Sequence, residues 1–228
     1  MREVVRKEEA DDMDYGSILG ESFEYAKEGL VGKWTRWLLL LVATILLAIP
    51  LLGYELKILR GEKTFPEVTD WGTLIVDGIK YLVIRIIYCI PLAIIAIVSI
   101  APLIMAAFQQ NAAAILVGVG AFLAGLVIFV IVAIIIGLIA SIGIIRFART
   151  GIMGEAFNFS AILATIGKFG WINYILALII MGVIVGVVEG ILMAIPFIGG
   201  LIVFILFPFF VLFEARFLCQ VYDSAGPE

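Results

Sequence analysis

From Ala113 to Ile145 the chain runs 33 residues without one charged side chain. In hydrocarbon a backbone has to satisfy its own N–H and C=O groups, which only helices and closed barrels achieve. Barrel strands alternate apolar and polar residues, and Ile131-Val132-Ala133-Ile134-Ile135-Ile136 does not alternate. The stretch therefore predicts a transmembrane α-helix, longer than the ~20 residues a bilayer core requires and so tilted or extended past it. Comparable runs lie at 81–108, 171–194 and 199–220, with Pro91 and Pro102 as expected kinks in the first. The fold expected is all-α: a polytopic helical membrane protein with four full transmembrane helices. A composition of 64% hydrophobic and 15% charged residues fits no soluble domain.

A second pattern sets the organisation. Gly20-Glu21-Ser22-Phe23 leads to Trp37, an apolar run and Ile49-Pro50; Gly154-Glu155-Ala156-Phe157 leads to Trp171, an apolar run and Ile195-Pro196. The first two signals keep one offset of 134 (154 − 20, 171 − 37), whereas the Ile-Pro pairs are 146 apart (195 − 49). The early apolar run is thus 12 residues shorter. From Trp37 to Ile49 is 13 residues, about 20 Å of helix, too short to span. Basic residues flank both ends of 37–59 (Lys33 and Arg36, then Lys57 and Arg60). The segment is read as a re-entrant hairpin turning at Pro50–Gly53, with a single span kinked at Pro50 as the competing reading. Re-entry requires its backbone to be buried in protein or to line a cavity.

Around these spans, 14–32 has apolar residues at helical spacing (Tyr15, Ile18, Leu19, Phe23, Ala26, Leu30), which predicts an amphipathic helix at the interface or against a partner. Lys33, Trp34, Arg36 and Trp37 form a basic-aromatic belt of the headgroup level. Further interfacial helices are expected at 70–80, with Asp70 as N-cap, and at 151–168. The segments are grouped as a charged, disordered 1–13, one membrane domain over 14–222 (a first unit 14–80, a two-span hairpin 81–148, a second unit 149–222), and a tail 223–228. The basic flanks Lys57–Arg85, Arg146–Lys168 and Arg216 are assigned to the cytoplasm and the uncharged turns to the outside. This predicts a multi-pass cell-membrane protein with its C-terminus cytoplasmic. The opening stretch lacks the layout of a cleavable signal.

Chemistry-bearing constellations are sparse. Histidine is absent, which removes imidazole ligands, triads and relays. Cys89 and Cys219 lie in apolar segments without a CxxC partner and read as buried spectators. No phosphate loop or catalytic motif occurs, so no cofactor or metal and no enzyme is expected. No basic stripe suits nucleic acid. Gly182, Gly186 and Gly190 share one helix face and predict close helix packing, within the chain, between copies, or with another membrane protein. Glu189 lies on that face; a carboxylate in a span is a functional candidate, or simply the polar end of a helix. Glu214, Arg85, Arg146 and Arg149 are expected to form ion pairs near the inner interface. Asp77 and Lys80 read as a solvated helix face, and Gly118, Gly120 and Gly125 as helix packing.

The segments Ile49-Pro50-Leu51-Leu52-Gly53-Tyr54, Leu59-Arg60-Gly61-Glu62, Phe65-Pro66-Glu67, Asp70-Trp71-Gly72 and Asp77-Gly78-Ile79-Lys80 resemble domain of unknown function 4013, a family of bacterial and archaeal membrane proteins. Looser likeness continues through Glu155-Ala156-Phe157 and Ile195-Pro196-Phe197-Ile198-Gly199 to Tyr222, covering about 15–222; Phe65 stands where leucine is usual. The resemblance implies a membrane protein and carries no activity. Two roles follow: a non-catalytic component that scaffolds partners or shapes the bilayer, in contact with membrane lipids, or a transporter or channel for a small solute, ion or lipid using Glu189.

Overall fold

The computed structural model of the chain describes residues 13–62, 64–109 and 111–226. The disorder expected for 1–13 therefore falls, Met13 apart, outside the described residues. Among these, every regular element is helical: α1 (Tyr15–Leu30), α2 (Trp34–Ile45), α3 (Ile49–Leu59), α4 (Trp71–Gln109), α5 (Ala112–Thr150), a 3₁₀ turn (Met153–Phe157), α6 (Phe159–Phe169), α7 (Trp171–Met193) and α8 (Gly199–Asp223). Four of them, α4, α5, α7 and α8, are long and apolar enough to cross a bilayer. The protein is an all-α, polytopic membrane protein.

The chain packs as two compact units, residues 83–141 and the remainder on either side. Within 83–141, α4 continues unbroken through Pro91 and Pro102. There a Cβ at Gly118 would press on Ala106 and the Pro102 carbonyl, and one at Gly125 would overlap Ser99, so these glycines let α5 approach α4. Gly120 faces open space.

The other unit holds the short elements. Asp14 caps α1 by accepting from the Ser17 amide at 3.0 Å, and α1 packs along α8. Its inward side is Ser22, Ala26, Gly29 and Leu30, while Phe23 lies half in the open, edge-on to Phe209. The first apolar run is broken, as the hairpin reading requires. The break lies at Leu46–Ala48, though, and not at Pro50–Gly53: Leu47 and Ala48 both adopt left-handed φ of 58°. Pro50 instead sits in the first turn of α3, where its missing N–H costs nothing. Gly53 is interior to α3 because a Cβ there would overlap the Leu74 carbonyl of α4; reciprocally, a Cβ at Gly78 would overlap the Ile49 carbonyl.

Residues that flank the 37–59 segment on its two sides meet. The Phe65 ring occupies the space a side chain at Gly29 would need, and the Arg36 guanidinium lies 4.7 Å over that ring. A straight span of 23 residues would hold its ends about 34 Å apart. The segment is a hairpin that returns to its starting side, and α3 is buried over most of its length (Pro50, Leu51, Gly53, Tyr54, Glu55, Leu56, Ile58, Leu59). The stretch expected as a separate helix at 70–80 is the first part of α4, and Asp70 precedes it at φ 55°, its carbonyl accepting from the Leu74 amide. The 151–168 stretch is the 3₁₀ turn followed by α6, capped by Asn158.

The α3–α4 crossing predicts opposite outcomes for one substitution. Gly53→Ala should lower stability by about 1–3 kcal/mol, the range for overpacking a filled contact. Gly186→Ala, on an open face of α7, should leave it unchanged or raise it by up to about 1 kcal/mol. Thermal unfolding of both in one detergent checks this; equal shifts would contradict the crossing.

Candidate functional site

Several charged side chains of the larger unit gather into a polar layer near the Asp223 end of α8. Arg149, near the end of α5, is its centre. Its Nε donates to the Leu59 carbonyl at 2.8 Å, and one terminal nitrogen donates to Asp223 at 2.7 Å and to the Cys219 sulfur at 3.1 Å. The guanidinium fills the space beside Gly61 (φ 88°) and lies 5.6 Å over Tyr222. One cation thus satisfies a C-terminal carbonyl of α3, where a positive charge also complements the helix dipole, and joins α3, α5 and α8.

One turn earlier on α5, buried Arg146 donates to Glu155 at 2.6 Å. Asn158 donates to the same carboxylate at 3.2 Å while capping α6 through the Ala161 amide. These two donors, Arg146 foremost, hold the Glu155 carboxyl below its ordinary pKa of 4.5. The glutamate of the first repeat copy is used differently: Glu21 accepts from Gln220 at 2.7 Å, and Ser22 donates to the same amide at 2.7 Å. The repeated motif is thus α-helical in one copy and 3₁₀ in the other, and each ties an interfacial segment to the end of a span.

Between α3 and the start of α4, Arg60 pairs with buried Asp77 at 2.5 Å, Lys80 approaches Asp77 at 3.6 Å, and Tyr81 donates to buried Glu55 at 2.8 Å. Asp77 is therefore not the solvated face expected of it. Its partner Arg60 is 17 residues earlier, outside any helical-wheel reading of α4. The sequence signal was the carboxylate beside Gly78, since the glycine that admits α3 also brings Arg60 close. Glu55 and Tyr81 had no signal. Cys219 is buried and accepts from Arg149, so it is more than a spectator, and Cys89 is exposed on α4 rather than buried.

The remaining expected residues lie on the four long helices, and Arg85 and Glu214 are each engaged in a polar or electrostatic interaction. Arg146 and Arg149 do form ion pairs, with Glu155 and Asp223. Glu214 is half-buried on α8, and Arg85 is exposed on α4, in the other unit. Glu189 is half-exposed on α7, with no hydrogen bond or ion pair to a described residue; Gly182, Gly186 and Gly190 face open space. The glycine stripe makes no close contact with a described residue of this chain. Among the described residues, no three acidic, Cys or His side chains converge as metal ligands would.

The aromatic belt is tied to α8 well before the polar layer. Trp34 and Trp37 stack at 5.9 Å, and Trp37 donates its indole N–H to the Ile205 carbonyl at 2.9 Å. The neighbouring carbonyl, that of Phe204, is the one that Pro208 leaves without a ladder donor. Arg216 lies 4.9 Å over Tyr25, whose hydroxyl is buried and, despite that cation, pushed up by burial to about 12. Beside Trp34 opens a cavity of about 470 Å³, walled by Gly32, Lys33, Trp34, Thr35, Arg36 and Leu39 on one side and Glu67, Val68 and Thr69 on the other. A second cavity of about 490 Å³, near the α4–α5 turn, is lined mainly by apolar residues. Glu189 lines neither.

One family model, described as Protein of unknown function (DUF4013), matches residues 37–197. The match begins at Trp37 and ends in the α7–α8 turn, a narrower range than the motifs suggest. No curated protein and no solved structure matches the chain.

Acid should loosen the 3₁₀ tie. Because the folded pKa of Glu155 is lowered, its contribution is fully present above the unfolded value, near 4.5, and is lost as pH falls through the lower folded value. Melting temperature followed from pH 7 to pH 3 should fall more steeply below about pH 4.5 in the parent than in Glu155→Gln. Parallel curves would remove Glu155 from the acid response.

Proposed function

Since the chain belongs to the DUF4013 family, whose description assigns no chemistry, we propose its role from geometry: a non-catalytic, multi-pass component of the cell membrane that shapes one leaflet and presents a rigid interfacial platform. The observation that carries this reading is the hairpin of α2 and α3. It enters and leaves on one side, and α2 exposes Leu38, Val42 and Ile45, one stripe of a helix of 12 residues. A half-depth apolar wedge of this kind adds volume to a single leaflet, as amphipathic helices do. The Arg149 tie, from the Leu59 carbonyl of α3 to Asp223 of α8, holds the wedge to the spans, which a bending element needs and a mobile gate does not.

The basic flanks assign this polar layer, and with it the C-terminus, to the cytoplasmic side. Gln220 bonded to Glu21 and Ser22 then brings α1 to the same side.

A competing reading, transport of a small solute, ion or lipid, rests on Glu189, a carboxylate within a span. Neither described cavity reaches it, so the platform reading is preferred.

One preparation tests both role and orientation. In right-side-out vesicles, Ser224→Cys in a Cys89→Ala background should resist an impermeant maleimide, and proton or solute flux should equal that of protein-free vesicles. A flux abolished by Glu189→Gln would establish transport and overturn the platform role; outside labelling of residue 224 would invert the orientation.

A further inference from the structure

The cavity beside Trp34 takes no part in the ties that hold the polar layer together. Three acidic groups of that layer are each compensated by a cation: Asp77 by Arg60 and Lys80, Glu155 by Arg146, Asp223 by Arg149. Here three charges converge on one opening without such pairing. Among the described residues, Lys33 and Glu67 make no ion pair or side-chain hydrogen bond. Arg36 gives one N–H to the Gly29 carbonyl at 3.0 Å, rests on Phe65, and has no carboxylate partner among the described residues. Lys33 comes from the α1–α2 turn, Arg36 from the first turn of α2 and the carboxylate from the segment before α4, so the walls are opposite in sign. A volume of about 470 Å³ is ample for a small headgroup.

Depth narrows the ligand. Immediately along α2 from the cavity, Leu38 is 62% exposed and Ile45 66% exposed, side chains that belong against acyl chains. The stacked Trp34–Trp37 pair marks the headgroup level. Lipid phosphates occupy that level, with chains hanging beside the α2 stripe.

We propose that this cavity binds the headgroup of a zwitterionic amino-phospholipid, its phosphate against Lys33 and Arg36 and its ammonium toward Glu67 and the Trp34 indole. Phosphate recognition by paired Lys and Arg is charge-assisted; an ammonium near a carboxylate and an aromatic face is favoured on both counts. A purely anionic headgroup would leave Glu67 facing it uncompensated. The site deepens the membrane reading above but does not need the leaflet-shaping role.

The test uses the full chain, purified in a neutral detergent and titrated by calorimetry with dihexanoyl phosphatidylethanolamine, dihexanoyl phosphatidylglycerol and inorganic phosphate. The ethanolamine lipid should bind more tightly than the glycerol lipid. Lys33→Gln should weaken both by about fivefold, the effect of one basic residue near a lipid surface. Glu67→Gln should weaken only the ethanolamine lipid and bring the two to parity. Both side chains are exposed, so unchanged melting temperatures confirm that the variants fold. Affinities unaltered by either substitution overturn the site. Inorganic phosphate competing at the lipid's own concentration keeps the phosphate pocket but overturns the lipid as its source. Loss of the protein from membranes on carbonate washing is a separate result, and it would defeat the membrane reading itself.

Discussion

A helix that ends inside a membrane protein leaves carbonyls that hydrocarbon cannot satisfy, and α3 is such a helix. Arg149 answers the Leu59 carbonyl and in the same stroke fixes α5 and α8 around it. The unusual backbone of the hairpin follows from this. With one end of α3 held by Arg149, its other end presses carbonyl to glycine against α4 at Gly53 and Gly78. The turn that permits both contacts needs Leu47 and Ala48 in left-handed conformation, a cost of about 1–2 kcal/mol for each. Burial of nearly the whole of α3 offsets it.

The polar layer is best understood as a set of compensations that such burial demands. Arg146, Asp77 and Glu55 are all buried, and a charge without a partner there would be costly. Each is met by a residue from a different element: Glu155 from the 3₁₀ turn, Arg60 from the end of α3, Tyr81 from α4. The layer therefore fixes positions as much as it stabilises. Lys33, Arg36 and Glu67 stand outside these pairs and line the cavity beside Trp34.

The sequence was most legible where one term dominates. Runs such as 113–145 admit only membrane helices, and the 12-residue shortfall in the first repeat copy announced an element that stops halfway. It was least legible where residue type misleads. Pro50 and Gly53 read as a turn because they usually break helices, yet Pro50 starts one and Gly53 permits a backbone contact. Leu46-Leu47-Ala48 makes the actual turn with no turn-forming residue, forced by contacts on either side. Asp77 was read from its own helix alone, and its partner comes from another. Gly182, Gly186 and Gly190 carry a recognised packing pattern, but they make no close contact with a described residue of the chain.

The account stands on the hairpin closing back to its own starting side. Spin labels at Lys33→Cys and Thr64→Cys, in a Cys89→Ala background, measure it by dipolar spectroscopy in reconstituted bilayers. The predicted separation is well below half of the ~34 Å that 23 helical residues impose. A distance near or above that length would mean that the segment crosses the membrane, and the polar layer could not then gather as described.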